Sequence, residues 1–211
     1  MLKKQIKYYK NKITTWLSYV QLIPILSKIK PGDIVVDCGA NVGDVTGYFA
    51  SKRAQVYSFE PDPNAFGVLC KRFEKTYNVK CLKKGVWKEN AKMKLFQHAE
   101  TSVEGVPWTV SSSIVQEKRN VNQDKYVEVE LIDLSEFLRE LNQPIKVLKI
   151  DIEGAEIEVL NKLIDDGIYK NVIYILVETH EKKIPEQEKE LRLLKNKIHT
   201  LGIKNINLNW L

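Results

Sequence analysis

The chain has little of what would mark several function classes. Among its 211 residues there are three cysteines: Cys38, Cys70 and Cys81. An odd number without metal-type spacing, each inside an apolar pattern, reads as reduced and buried rather than as a disulfide frame. That points to a cytoplasmic compartment. No apolar run is long enough to span a bilayer. The N-terminal stretch "MLKKQIKYYKNKITTWLSYVQLIPILSKIK" is basic, then partly apolar, as a signal peptide would be. Ser18, Gln21 and Pro24 interrupt it, however, and no small-residue cleavage site follows before the first strand. It reads as an amphipathic helical segment, residues 1–31, packed on a domain formed by residues 32–211. A peripheral membrane or partner contact through this helix is the alternative. Aromatic residues make up 9% of the chain, and no block interleaves them with Lys and Arg as a nucleic-acid face would. The net charge of +6 is carried mostly by scattered lysines and reads as a solvated surface. No internal repeat or linker divides the chain.

What is present is an alternation of strands and helices. "DIVVD" (33–37) is a short β-branched run after Pro31-Gly32, so a buried strand. Val45, Tyr48 and Phe49 follow at helical spacing. "QVYSF" (55–59) is the second strand, and Asp62-Pro63 is a helix start with an aspartate cap. "VKCL" (79–82) is the third. This is the opening of a parallel, doubly wound α/β sheet. The pattern then loosens. "GVW" (85–87) and "MKLF" (93–96) read as strands joined by a turn at Glu89-Asn90, and residues 97–126 read as a long functional or mobile loop. "VEVEL" (127–131) alternates as a half-exposed strand, with Asp133 capping a helix over 134–141. "KVLKID" (146–151), a helix over 155–164, "VIYILVE" (172–178), a charged helix from Pro185 to about Thr200 and a weak edge strand complete the chain.

Ligands of open α/β sheets bind outside the carboxyl ends of the strands. The segments there are Asp37 to Gly43, Glu60, Gly85 to Trp87, Asp151 to Gly154, and Glu178 to His180. Gly39 and Gly43 let the backbone turn tightly and approach a ligand. Asn41 tolerates positive φ and can fill a glycine position while adding a polar side chain. Glu60 ends the second strand, where an acid accepts hydrogen bonds from ribose hydroxyls. Together these point to an adenosine-type ligand.

"VVDCGANVGDVT", "VYSFEPDP", "VEVELIDL", "LKIDIEGAEIEVL" and "ILVETH", in this order and spacing, resemble the FkbM family of S-adenosylmethionine-dependent methyltransferases. The likeness runs from about residue 32 to 180. It implies a Rossmann-like class I methyltransferase: a mostly parallel seven-stranded sheet, last strand antiparallel, with helices on both faces and an inserted hairpin or loop region. It implies S-adenosyl-L-methionine as cofactor and methylation of hydroxyls on sugars or polyketide-type products. Asp37, Gly39, Asn41 and Gly43 would surround the methionine part, Glu60 the ribose, Phe59 and Pro61 the sugar and adenine. Gly85, Val86 and Trp87 would lie along the adenine, although Trp87-Lys88 stands where relatives often carry an acid.

Transfer of a methyl from a sulfonium needs an aligned acceptor and removal of its proton. Asp151, Glu178 and His180 are the candidates, and His180 is favoured as base or relay because its reference pKa is near neutral. Oxygen ligation of Mg²⁺ by Asp151 and Glu178 is the alternative. Glu153 is balanced between site and structure. Glu156 reads as an acid complementing a helix N-terminus. Ser111 to Ser113 and Trp108 are candidate acceptor contacts in the loop, and Trp87 is a further candidate for an aromatic contact. The acceptor would be a saccharide or other small molecule. RNA ribose methylation is the second reading, disfavoured because Lys149 is taken to lie away from Asp151. A non-catalytic nucleotide-binding module is the third. An NAD-linked oxidoreductase is disfavoured by Asp37 and Asn41.

Overall fold

The structure is a computed structural model that describes residues 19–98, 121–181 and 184–210. Six strands form one parallel sheet. They are β1 (Ile34–Cys38), β2 (Gln55–Phe59), β3 (Val79–Leu82), β7 (Ile145–Ile150), β8 (Val172–Val177) and β9 (Ile206–Asn207), in the order β3-β2-β1-β7-β8-β9. Helices α2 (Asp44–Ser51), α3 (Pro63–Phe73), α4 (Leu134–Leu141), α5 (Glu156–Asp165) and α6 (Glu188–Thr200) join or flank them. Helix α1 is described over residues 19–26. The architecture is the expected Rossmann-like α/β one, with two corrections. The sheet has six strands among the described residues, not seven. Its last strand, β9, pairs with β8 in parallel, not antiparallel.

All five residues of β1 are buried, because β2 and β7 pair on its two edges and both faces are covered. Strand alternation divides the central residues between two cores. Val36, Leu148 and Ile175 face one side with α5 and α6 residues such as Leu160 and Leu191. Val35, Val147 and Leu176 face the other with Phe49, Trp210, and Leu22 and Leu26 of α1. The same alternation carries Asp37 and Lys149 to the second side, and the two are direct partners in the β1–β7 register.

The middle of the chain differs from the sequence expectation. β4 (Gly85–Trp87) and β5 (Ala91–His98) do not form a hairpin with each other. Both pair with β6 (Val121–Asp133), β4 in parallel and β5 antiparallel, giving a second sheet of order β4-β6-β5. The supposed loop over 97–126 is therefore shortened at both ends by strand pairing up to His98 and from Val121. Ser111, Ser112, Ser113 and Trp108 lie outside the described residues, as does the N-terminal segment before residue 19.

The helix starts behave as their sequence dictates. The Asp62 carboxylate accepts from the N–H groups of Asn64 and Ala65 at 2.8 and 3.2 Å, with Pro63 opening α3. Asp133 caps α4 by accepting from the N–H of Glu136 at 3.1 Å. The three cysteines are free. No helix among the described residues is long and apolar enough to cross a membrane.

Candidate active site

The carboxyl ends of β1, β2, β7 and β8 meet at one edge of the parallel sheet. The turn after β1 is held from two directions. Phe59 accepts the N–H groups of Gly39 and Ala40 on its carbonyl at 3.0 and 2.9 Å. The Glu60 carboxylate accepts the N–H of Asn41 at 2.8 Å, and that of Asp62 at 2.8 Å. Asn41 has φ 51°, the left-handed conformation that its residue type favours. The two glycines are explained by the protein itself. A Cβ on Gly39 would overlap the carbonyl oxygen of Asp151, and one on Gly43 would sit 2.5 Å from the Phe73 ring and 2.7 Å from Leu69. The turn needs glycine to pack on the end of β7 and on α3, whatever it binds.

Glu60 is 7% exposed, and burial raises its pKa to about 7 despite the two N–H bonds. Its immediate neighbours are less open than the sequence implied. Phe59 is 1% exposed and packs edge-on against Phe137, ring centroids 5.0 Å apart. Val86 and Trp87 are core residues. Phe59 and Val86 can therefore meet a ligand with backbone atoms, not with their side chains. Pro61 is half-buried and packs against Gly85, so the chain after β2 and the start of β4 do come together.

Asp37 is fully buried and does not reach the surface of the turn. It accepts a hydrogen bond from Thr46 Oγ1 at 2.6 Å, and Lys149 Nζ lies 3.2 Å from its other oxygen. Lys149 also donates to the carbonyl of Gly39 at 2.7 Å and lies 3.4 Å from Asp151 Oδ2. Burial opposes the charge of this lysine, but Asp37 and Asp151 outweigh it and raise its pKa above the ordinary value. The expectation that Lys149 lies away from Asp151 is corrected here. Residues two apart on a strand share a face, so Lys149 points along β7 toward Asp151 and across to Asp37.

The loop after β7 gathers Asp151, Glu153 and Glu156, and the segment after β8 adds Glu178 and His180. Glu156 is 1% exposed and folds back over its own loop. It accepts from the N–H of Ile152 at 3.0 Å and from that of Gly154 at 3.0 and 3.1 Å. Glu153 stands at φ 60°, a conformation that costs a non-glycine residue of order 1 kcal/mol and recurs at functional sites. Reading Glu156 as only a helix-dipole acid missed this. The signal was in the spacing: a glutamate two residues after Gly154 reaches back to its N–H.

The ring of His180 is buried between carboxylates. Nδ1 is 3.0 Å from Glu156 Oε1, and Nε2 is 3.0 Å from Glu153 Oε2 and 3.8 Å from both Asp151 Oδ1 and Glu178 Oε1. Burial alone would lower its pKa, but Glu153 and Glu156 more than offset this and raise it to about 10. In this arrangement the ring keeps its proton at neutral pH, which argues against His180 as the free base. Burial pushes the pKa of Asp151 up, with Lys149 opposing and Glu153 adding to the rise. Asp151 and Glu178 remain partly open, their side chains 24% and 32% exposed.

The chain is similar to several known proteins. Methyltransferase sdnD of Sordaria araneosa is 28% identical over 188 residues, which is 74% of this chain and 70% of that protein. Methyltransferase 1 of Beauveria bassiana is 27% identical over 165 residues, 71% of this chain and 65% of that protein. An rRNA methylase from Streptococcus thermophilus aligns over 85% of this chain and 75% of its own, with a TM-score of 0.45 at 12% identity. The model of the methyltransferase FkbM domain matches residues 37–202, from Asp37 near the end of β1 past the end of α6. The chain belongs to the FkbM methyltransferase family.

Proposed function

We propose that the chain is an S-adenosylmethionine-dependent O-methyltransferase acting on a hydroxyl, that of a sugar or glycoconjugate. The observation that supports this most is the pair of partly open carboxylates, Asp151 and Glu178, at the strand ends beside the turn that Glu60 holds. The family implies S-adenosylmethionine, and the residues here fit it. Glu60 stands at the end of β2 with a buried carboxylate, where ribose hydroxyls donate to an acid. The acids of this edge suit a ligand carrying a sulfonium and an ammonium.

When bound, that cofactor supplies an electrophilic methyl group on a positively charged sulfur. Asn41 and the 39–43 backbone wall the methionine side. Asp37, neutralised by Lys149, keeps the turn on the end of β7 rather than touching the ligand. Asp151 takes the proton of the acceptor hydroxyl. The acceptor oxygen so deprotonated would receive the methyl group, and the C–S bonding pair would stay with the cofactor's sulfur. His180 holds Glu153 and Glu156 in place.

The alternative of RNA ribose methylation would use a lysine in catalysis. Lys149 is 2% exposed and committed to Asp37, Asp151 and the Gly39 carbonyl, so it stands as support for the turn. Methyl transfer from labelled S-adenosylmethionine, assayed against nucleotide sugars, glycans and RNA, tests the proposal. Transfer to a saccharide hydroxyl is expected, slowed about 10²–10⁴-fold by Asp151→Asn. Transfer to RNA alone would overturn the acceptor assignment.

A further inference from the structure

We propose that Asp151, Glu178 and His180 form a binding site for one divalent transition-metal ion, of which Mn²⁺ is the probe of choice. One ligand atom from each of the three lies within 4.8 Å of the other two. Nε2 of His180 is 3.8 Å from Asp151 Oδ1 and 3.8 Å from Glu178 Oε1. An ion about 2.2 Å from two donors so spaced would see them at an angle of roughly 120°, an ordinary coordination angle.

The histidine is what separates this cluster from a chance group of surface acids. Its side chain is 2% exposed, and Nε2 is a buried nitrogen without a hydrogen-bond partner. Glu153 Oε2, 3.0 Å away, pairs with the charged ring electrostatically without the geometry of a hydrogen bond. The other nitrogen is already placed: Nδ1 faces Glu156 Oε1 at 3.0 Å. With Nδ1–H donated to a buried carboxylate, an incoming ion would displace the Nε2 proton to solvent and take the Nε2 lone pair, on the side of Asp151 and Glu178. That carboxylate–histidine arrangement orients metal-ligating imidazoles and raises their basicity. Glu156 is in turn fixed by the N–H groups of Ile152 and Gly154, so the ring cannot drift.

The donor set also indicates the kind of ion. Two carboxylates and an imidazole suit Mn²⁺ and its neighbours better than Mg²⁺, which prefers an all-oxygen shell. Because Asp151 and Glu178 are partly open, positions on the ion remain for water or a ligand oxygen. The consequence for catalysis rests on the O-methylation reading, whereas the binding itself does not. A hydroxyl on an open position would be oriented and acidified by the ion. Its proton would pass to Glu153, which the ligand set leaves out, and Asp151 would act as a ligand instead of the base.

The test is calorimetric titration of Mn²⁺ into chelator-treated, dialysed protein, without cofactor or acceptor. One Mn²⁺ per chain is expected, with affinity at least tenfold higher than for Mg²⁺. Asp151→Asn and Glu178→Gln should each weaken Mn²⁺ by at least tenfold. Glu178→Gln is the safer variant for folding, since its side chain is the most exposed of the three. Absence of Mn²⁺ uptake at millimolar concentration, or uptake unchanged in Glu178→Gln, would overturn the site. Equal affinity for Mg²⁺ and Mn²⁺ would overturn His180 as a ligand. S-adenosylhomocysteine binding is measured in parallel. If it binds while Mn²⁺ does not, the metal site fails and the cofactor assignment stands. If Mn²⁺ binds but S-adenosylhomocysteine does not, the reverse holds.

Discussion

The turn after β1 and the loop after β7 are built alike but end in different states. Each follows a buried strand, each contains a residue at positive φ, and each has its backbone N–H groups held by a glutamate. In the first, the acid at the strand end, Asp37, is fully buried and paired with Lys149. In the second, Asp151 shares that same lysine but remains partly open, with Glu153, Glu178 and His180 around it. Burial with a partner makes a carboxylate a fixed part of the frame. Partial exposure among like charges keeps one available for chemistry. One lysine serves both, so the proposed cofactor wall and the proposed reactive edge are physically joined.

Breaking that joint should have the largest effect. Lys149→Met removes the partner of Asp37 and leaves a buried carboxylate, at an expected cost of roughly 3–5 kcal/mol. Chemical denaturation would show it, and a loss below about 1 kcal/mol would mean that the pair does not hold the turn. A smaller effect is expected inside the second loop. Glu156→Gln keeps the shape but loses the charge that accepts from Ile152, Gly154 and His180, at roughly 1–3 kcal/mol. Hydrogen exchange at Gly154 should quicken while that at Asn41 stays unchanged. Quickening at both would erase the distinction between the two segments.

How much of this was legible differs between the same regions. Strands 55–59, 79–82 and 85–87 and the start at Asp62-Pro63 were readable, because local β-branched runs and a proline set them. The pairing of β4 was not. Its partner, β6, comes after a long intervening segment, and adjacent short strands suggest a hairpin by default. The glycines of the first turn were readable as tight positions. Their actual neighbours, the Asp151 carbonyl and the Phe73 ring, are far along the chain. Lys149 was misplaced although strand period alone puts it on the face of Asp151. His180 was found from its place after a buried strand. Its protonation was not, since that depends on Glu153 and Glu156 closing around the ring.

The smallest expected effect concerns that proton. The folded-state pKa of His180 is raised from 6.5 to about 10. Its contribution to stability is therefore complete below pH 6.5 and is lost as pH rises through 10. Metal-free wild type should lose about 1 kcal/mol more than His180→Asn between pH 7 and pH 8. Parallel stability curves would show that the carboxylates do not hold the imidazolium.

The first segment, clamped by Glu60, is the proposed wall of an S-adenosylmethionine site. Titration calorimetry of S-adenosylhomocysteine against wild type and Glu60→Ala tests it most directly. Binding to wild type is expected, weakened about tenfold or more in Glu60→Ala. No binding to wild type, or equal binding by Glu60→Ala, would contradict the account.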